Sequence, residues 1–513
     1  GNPRTILGWL QGSSTREGVV VDPPKPPARR EIRIVHRPDL PELARDAAKV
    51  AKGQKSLFFC QSRATTEAVA ERMRAAGTDV FVHHSAVSLE ERDLAEARFH
   101  RGTDACIVCT STLELGIDVG DLDRVFQTDA PGTVSSFLQR MGRTGRRAGQ
   151  AANTTFFCQD AWTVAQALAL VGLAREGWVE RVEVDDRCWP VLVHQLIAMS
   201  LAYGTIRPDD AWALLSRVPD FHGITRAEFD TLIEHLVSGD YLYRSEGRLA
   251  LGDEAERAYG RKNFLQLYAV FSSPQSYTVV TTGDREVGYL NQDFVDRLVE
   301  DMSSFLLAGR AWLVHHVDHA NRHVRVTPAP RGVKPSWCGY VPMFLDFAVC
   351  RRIRDVLTSD QVPGILHASA AEALKGLRDD LGVLLGDAGD DVFTHDDHIQ
   401  WWTFAGGRIN TTLKYALHGL GTWKIVADNF SLRIEATHLH HDDWNHARQR
   451  LRSADFWADD AFWDDLRAKL PAYRLSKFQR AMPDAIQREV LAKYLLDVER
   501  ASVFCMGGGG RVH

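Results

Sequence analysis

The chain has 513 residues, of which 45% are hydrophobic and 25% charged, so it is long enough for roughly two to four domains with proper cores. No apolar run is long enough to span a bilayer, and there is no basic-then-apolar leader with a small-residue cleavage site, so a cytoplasmic protein is expected. The formal charge of −6 means that any nucleic-acid binding has to come from local basic patches.

In chain order, Gly1-Asn2-Pro3 opens abruptly into a helix-like stretch, and Pro23 to Pro27 reads as a stiff linker. From Ser56, nearly all-apolar strands alternate with helices. Strands are expected over 56–61, 79–84, 105–110, 122–127 and 153–158, with helices over 65–77, 88–102 and 134–141. This rhythm predicts a parallel sheet covered on both faces. Two of the eight cysteines, Cys106 and Cys109, form a CxxC inside one of these apolar runs. With no second Cys or His pair nearby, they read as buried strand residues rather than a zinc or redox site.

From Trp189 the pattern changes to helices over 190–204 and 208–218 and a third helix behind the capping box Thr225-Arg226-Ala227-Glu228. Phe229, Leu232, Ile233, Leu236 and Val237 form the apolar face of that helix, and a hairpin follows around Ser245-Glu246-Gly247. Three helices and a hairpin suggest a winged-helix unit. Its third helix carries Glu228, Asp230 and Glu234, so packing is expected of it rather than major-groove reading. Beyond residue 258 strands and helices mix. Residues 311–317 and 323–329 read as a hairpin, helices are expected near 343–357 and 372–385, and the glycines near the C-terminus read as a tail. His395-Asp396-Asp397-His398 and His438 to Asp443 lack the spacing of a metal site and read as solvated loops, with Trp401-Trp402 as core.

The strongest chemical signal is Gln139-Arg140-Met141-Gly142-Arg143-Thr144-Gly145-Arg146-Arg147. Arg140, Arg143 and Arg146 recur at three-residue spacing among glycines that let backbone approach a ligand. Guanidinium forks pair with phosphate oxygens. By itself the run also fits a basic loop that binds nucleic acid nonspecifically. Some twenty residues earlier, Thr110-Ser111-Thr112-Leu113-Glu114-Leu115-Gly116-Ile117-Asp118-Val119 follows a buried strand.

Together these segments resemble motifs V and VI of superfamily 2 helicases, and Phe58 to Arg63 resembles motif IV. Order and spacing fit the second RecA-like motor domain. The resemblance implies that Arg143 and Arg146 face the γ-phosphate of ATP with Gln139 beside them, and that Asp118 and Gly116 lie near the ribose or couple ATP to the strand. It also implies that Thr110, Ser111, Ser62, Arg63 and Arg140 hold the nucleic acid. For Ser62 a helix N-cap is the coexisting alternative.

No phosphate loop is present, because Gly nowhere precedes Lys, and no apolar strand ends in D-E-x-H or D-E-x-D. Asp253-Glu254-Ala255-Glu256 is a poor imitation of that magnesium site, with no strand expected before it. The Mg2+ ligands of ATP are therefore expected in a first motor domain, and this chain is expected to be inactive alone. Residues 1–30 are expected to be the remnant of that first domain and a linker, with no metal site in the chain itself.

Later segments, from FLLAGRAWLVHHVD through VTPAPRGVKPSWCGY and WWTFAGGRIN to RLSKFQRAMP, resemble the large helicase-related family and its DEAD/H-associated C-terminal region. That family resemblance implies ATP-driven 3′-to-5′ translocation on single-stranded DNA and unwinding of DNA or RNA–DNA duplexes; DNA repair and phage defence are both open as settings. It makes Trp337 a candidate for base stacking, with a buried core tryptophan as the alternative. The expected architecture is an α/β parallel-sheet RecA-like domain (31–180), a winged-helix domain (188–255) and a mixed α+β domain (256–513). The rival functional reading is an ATPase-inactive strand-binding or scaffold module.

Overall fold

The computed structural model describes the chain except residues 24–28, 116–119, 121, 147–149, 265–266, 268–269, 271–275, 320, 336–341, 382–383, 386–390, 396, 436–440, 472 and 508–513. Trp337, Gly116 and Asp118 therefore lie outside the described residues, as do His438 to His440 and most of the C-terminal glycine run.

After a first helix α1 (Pro3–Gln11), the chain builds β1 (Arg30–His36), α2 (Leu40–Ala51), β2 (Lys55–Phe59), α3 (Arg63–Ala75), β3 (Val80–His83), α4 (Leu89–Arg101) and β4 (Ala105–Cys109). It continues with β5 (Arg124–Thr128), α5 (Val134–Met141), β6 (Ala152–Cys158) and α6 (Ala161–Arg175). The six strands form one parallel sheet in the order β1-β6-β5-β2-β4-β3. Strand periodicity sorts its side chains onto two faces. Phe58, Cys106, Val108 and Phe126 pack with α2 and α3. Leu57, Phe59, Ile107, Cys109 and Val125 pack around Phe99 of α4. Cys106 and Cys109 thus point to opposite faces and cannot share an ion, and burial pushes the Cys106 thiol up to about 12.

The winged-helix unit has α7 (Trp189–Tyr203), β7 (Thr205–Ile206), α8 (Pro208–Leu215), α9 (Arg226–Ser238), β8 (Leu242–Ser245) and β9 (Arg248–Leu251), with sheet order β7-β9-β8. The Thr225–Glu228 capping box is formed, and Phe229, Leu232, Ile233 and Leu236 are buried. Each acid of α9 is ion-paired: Glu228 to Arg187 at 2.7 Å, Asp230 to Arg226 at 2.9 Å and Glu234 to Arg244 at 2.7 Å. Residues far along the chain, Phe478, Ala481, Met482 and Ile486, complete this core. Asp253-Glu254-Ala255-Glu256 opens a short helix, α10 (Asp253–Tyr259), and, contrary to the expectation that no strand precedes it, follows β9 after Gly252.

A five-stranded sheet follows. It holds β10 (Ser276–Thr281), β11 (Glu286–Asn291), β12 (Ser304–Leu307), β13 (Arg310–Asp318) and β14 (His323–Ala329) in the order β11-β10-β14-β13-β12. The predicted hairpin is β13–β14. This sheet is stitched to the six-stranded parallel sheet by backbone. Tyr289 N–H donates to the Ala86 carbonyl at 2.7 Å and Ser88 N–H to the Val287 carbonyl at 3.1 Å.

Two further helices, Phe347–Thr358 and Ala368–Leu381, pack on α6 and α5 in one continuous core with Ile34, Phe137 and Phe156. Residues 365–367 pair with the outer edge of β1, Ile34 N–H donating to Ile365 at 2.9 Å and His367 N–H to Ile34 at 2.8 Å. An edge strand that would otherwise template foreign pairing is covered this way. The remaining chain forms a four-stranded sheet and a helical end. Trp401 is buried there, and Trp402 stacks on Trp162 of α6 with centroids 5.9 Å apart.

Candidate strand and nucleotide faces of the motor domain

In the parallel sheet, β5, β2 and β4 are neighbours, so the turns that follow them lie side by side at the C-terminal edge. After β2, Ser62 caps α3, its hydroxyl accepting from Thr65 N–H at 3.0 Å. The N-cap alternative for Ser62 is realised, and the side chain remains exposed. Arg63 follows half-buried, its guanidinium pushed below the usual range by burial. Gln61 ties this turn to the end of β5 by donating to the Thr128 carbonyl at 3.2 Å.

After β4, Thr110 leads into a single 3-10 turn, Ser111–Leu113. Thr110 N–H donates to the His83 carbonyl at 3.3 Å. The Thr112 hydroxyl donates to the same carbonyl at 3.0 Å and lies 2.8 Å from His83 Nδ1. His83 Nε2 meets Glu96 at 2.9 Å, so this turn is braced by β3 and α4. Burial pushes the His83 imidazole below its ordinary range, with Glu96 opposing. Ser111 is exposed and Thr110 half-buried.

The arginine segment lies elsewhere. Helix α5 leaves the C-terminal edge and runs back along the sheet. Its following loop meets the opposite edge, where Thr144 bridges Leu122 and its hydroxyl accepts from Asn153 N–H at 2.8 Å, just inside β6. Gly145 sits at φ +71°, and a Cβ there would lie 2.5 Å from Ala152 N. Only glycine lets this loop close on β6. The Thr144–Gly145 backbone is thus about one five-residue strand, roughly 15 Å by strand rise, from the edge that carries Ser62 and Thr110. The structure brings Ser62 and Thr110 together at one edge; the backbone of the arginine loop meets the other edge at Thr144 and Gly145, while the Arg143 side chain reaches back toward Glu114. Gln139 is half-buried on α5 and Arg146 is exposed, its Nε donating to the Gly142 carbonyl at 3.3 Å.

Arg140 corrects the expectation of a strand contact. It is only 4% exposed. Its Nη2 lies 2.6 Å and its Nε 2.7 Å from Glu114 Oε1, Nη1 donates to Gln127 at 3.2 Å, and the guanidinium covers the Phe59 ring at 5.1 Å. An arginine enclosed on this many sides offers no face to a strand. Arg143 is also turned inward, 7% exposed, with Nη2 donating to the Glu114 carbonyl. Glu114 is therefore the centre of the cluster, and its Oε2 also accepts from the Ser136 hydroxyl at 3.1 Å. Sequence reasoning passed over it. The available signal was a carboxylate between Leu113 and Leu115 directly behind an all-apolar strand.

A six-stranded parallel sheet carrying these segments at its edges is the second RecA-like motor domain of a superfamily 2 helicase. Residues 39–148 match the helicase conserved C-terminal domain, and residues 173–334 match the winged helix domain of large helicase-related protein. The chain is similar to the C-terminal part of Lhr-like superfamily 2 helicases. It is 27% identical over 320 residues to the ATP-dependent helicase Lhr-Core of Methanothermobacter thermautotrophicus, covering 59% of this chain and 36% of that protein. It is 30% identical over 288 residues to the Lhr helicase/uracil glycosylase of Escherichia coli, covering 52% of this chain and 18% of that protein. The chain thus spans well under half the length of these curated relatives. In fold it is similar to Mycobacterium smegmatis helicase Lhr, solved with single-stranded DNA and AMP-PNP, at a TM-score of 0.66 and 18% identity over 98% of this chain and 70% of that one. Among the described residues, no helix is long and apolar enough to cross a membrane, and no three His, Cys, Asp or Glu side chains cluster to hold a metal.

Proposed function

We infer that the chain supplies the arginine side of an ATP site and part of the strand grip of an ATP-dependent helicase that moves 3′-to-5′ on single-stranded DNA. The observation that carries this reading is the arrangement around one sheet: Ser62 and Thr110 on neighbouring turns at one edge, and the Arg143 guanidinium on the carbonyl of Glu114, four residues after Thr110. Helix N-termini and hydroxyls hold backbone phosphates without reading sequence. Ser62, Arg63, Thr110 and Ser111 take that role. Trp337, as a base-stacking side chain, and Asp118 and Gly116, near the ribose, belong to the same reading.

The arginine loop fits a polyphosphate, since its described side chains are cationic or neutral and Gly145 presses the loop flat against β6. ATP, when bound, supplies the free energy of phosphoryl transfer to water. Arg143 and Arg146 orient and neutralise the γ-phosphate, with Gln139 beside them. For this Arg143 exchanges its bond to the Glu114 carbonyl for one to phosphate. The Mg2+ that accompanies ATP is assigned to carboxylates of a first RecA-like domain, which is the partner this face requires. A DNA or RNA–DNA duplex as the substrate unwound, a cytoplasmic setting and a role in DNA repair are part of the proposal. So is the division into units 31–180, 188–255 and 256–513, with 1–30 leading into them.

ATP hydrolysis by this chain alone, with and without single-stranded DNA, is the direct test. Strand binding without hydrolysis is expected. Strand-stimulated hydrolysis by the chain alone would mean a phosphate site other than the one described. With a first RecA-like domain supplied, in the same chain or a separate one, Arg143→Ala is expected to lower strand-stimulated kcat by about 10³-fold or more. An unchanged kcat would remove Arg143 from the ATP site and favour an ATPase-inactive strand-binding module.

A further inference from the structure

We propose that Glu114 is the positioning residue that couples the strand grip to the nucleotide-facing arginines, an inference that rests on the reading of Thr110 and Arg143 given above. Glu114 lies four residues after Thr110, at the end of the short turn, with its N–H donating to the Ser111 carbonyl at 3.0 Å. Thr110 and Glu114 sit at the two ends of one short turn that is held on His83 through Thr110 N–H and the Thr112 hydroxyl and in the core through Leu113, so the two ends move as one body.

At the far end of the turn, Glu114 holds the arginine segment in two ways. Its carboxylate takes Arg140 through Nε and Nη2 and takes Ser136 one helical turn earlier, which sets the rotation and height of α5. Its main-chain carbonyl takes Arg143. The side chain thus fixes the helix on which the arginine loop hangs, and the backbone keeps Arg143 away from a nucleotide. A shift of the turn moves both at once. A buried ion pair suits this role because it is directional and stiff, and losing charge on either side leaves the other uncompensated.

The test is Glu114→Gln in this chain together with a first RecA-like domain, in the same chain or a separate one. Glutamine keeps the length and one acceptor oxygen but gives up the charge that holds Arg140. The readouts are the Kd for a fluorescent oligothymidylate, the KM for ATP, and the ratio of strand-saturated to strand-free kcat. The expected result is Kd and KM within two-fold of the parent and a loss of at least ten-fold in that ratio. If the substitution disturbs folding, the neutral pair Glu114→Gln with Arg140→Gln takes its place, and the same loss of ratio at near-parent thermal stability is expected. The proposal is overturned if the ratio is kept, or if Kd, KM and kcat all fall in proportion to lost stability. Failure of the underlying reading looks different: the parent protein itself shows no strand-stimulated hydrolysis, or Arg143→Ala leaves it unchanged.

Discussion

Two carboxylates lie buried in the motor domain, each a helical turn or so behind a residue assigned to the strand grip. Glu114 follows Thr110 by four positions, and Glu67 follows Ser62 by five. Their partners differ. Glu114 is held by the guanidinium of Arg140, whose charge is permanent. Glu67, fully buried, accepts from Gly309 N–H at 2.6 Å and meets His84 Nε2 at 2.9 Å. Glu114 joins two segments of one sheet, both assigned to the ATP cycle. Glu67 joins α3 to the turn between β12 and β13, and so fastens the five-stranded sheet to the motor domain. Losing Glu114 leaves a buried guanidinium without the carboxylate that holds it, whereas losing Glu67 takes one acceptor from a backbone amide and a ring nitrogen, with Arg74 also within electrostatic reach of Glu67. The first pair is therefore the brittle one and the second a static rivet.

The largest expected effect follows from this contrast. Glu114→Ala strands Arg140 in a site where it is 4% exposed. Breaking a buried pair from one side costs about 3–5 kcal/mol, because the remaining charge is uncompensated. Urea unfolding of the chain is expected to show a loss of unfolding free energy of that size. A loss below about 1 kcal/mol would mean that Arg140 finds water or another acceptor, and the brittle half of the comparison would fail.

Glu67→Ala is expected to be milder. It leaves the Gly309 amide without its acceptor, and one orphaned buried donor costs about 1–3 kcal/mol. The effect is also expected to be local. Amide exchange should quicken at Gly309 and at Tyr289, whose N–H crosses the same junction to Ala86, while the β2 and β4 amides stay protected. Uniform loss of protection across the motor sheet would show that Glu67 supports that sheet rather than the junction.

Much of this architecture is legible in the sequence, for a physical reason. A buried parallel strand has to be apolar on both faces, so β2, β4, β5 and β6 stand out, and the glycines that close the arginine loop mark its turn. Strand β1 was hidden because Arg30, Glu31 and Arg33 interleave its apolar residues at an edge that only residues 365–367 cover. Helices α2 and α6 also went unread beside stronger signals. Arg140 was misassigned because spacing along the chain groups it with Arg143 and Arg146, whereas its fate is decided by Glu114, twenty-six residues away. No local pattern announces that pairing. For the same reason, nothing in the sequence indicates that Phe478 and Met482 fill the winged-helix core.

The winged-helix unit supplies the weakest member of the comparison, a carboxylate paired in partial exposure. Glu228 both caps α9 and meets Arg187, which in turn meets Glu489 at 2.6 Å in the segment that closes the unit. The Arg187 guanidinium is pushed up by Glu489 first and Glu228 second, so it stays charged throughout any working range. Hydrogen bonding from Arg187 holds the Glu228 carboxyl down at about 2. A carboxyl with a depressed folded pKa contributes stability that is full above its unfolded value of about 4.5 and is lost as pH falls toward 2. Because the carboxylate is partly exposed, water and salt screen the pair, and its net contribution stays within about 1 kcal/mol. Acid titration of thermal stability is therefore expected to show a shallow fall beginning below about pH 4.5, and Glu228→Gln should reduce it by removing this carboxyl's share. The substitution should also lower the neutral-pH Tm slightly, since the capping box loses its charge. If Glu228→Gln leaves the acid limb unchanged, the pair is fully screened and Arg187 is held by Glu489 alone. Exposed pairing would then contribute nothing measurable to closing the winged-helix unit, which would rest on Phe478 and its neighbours.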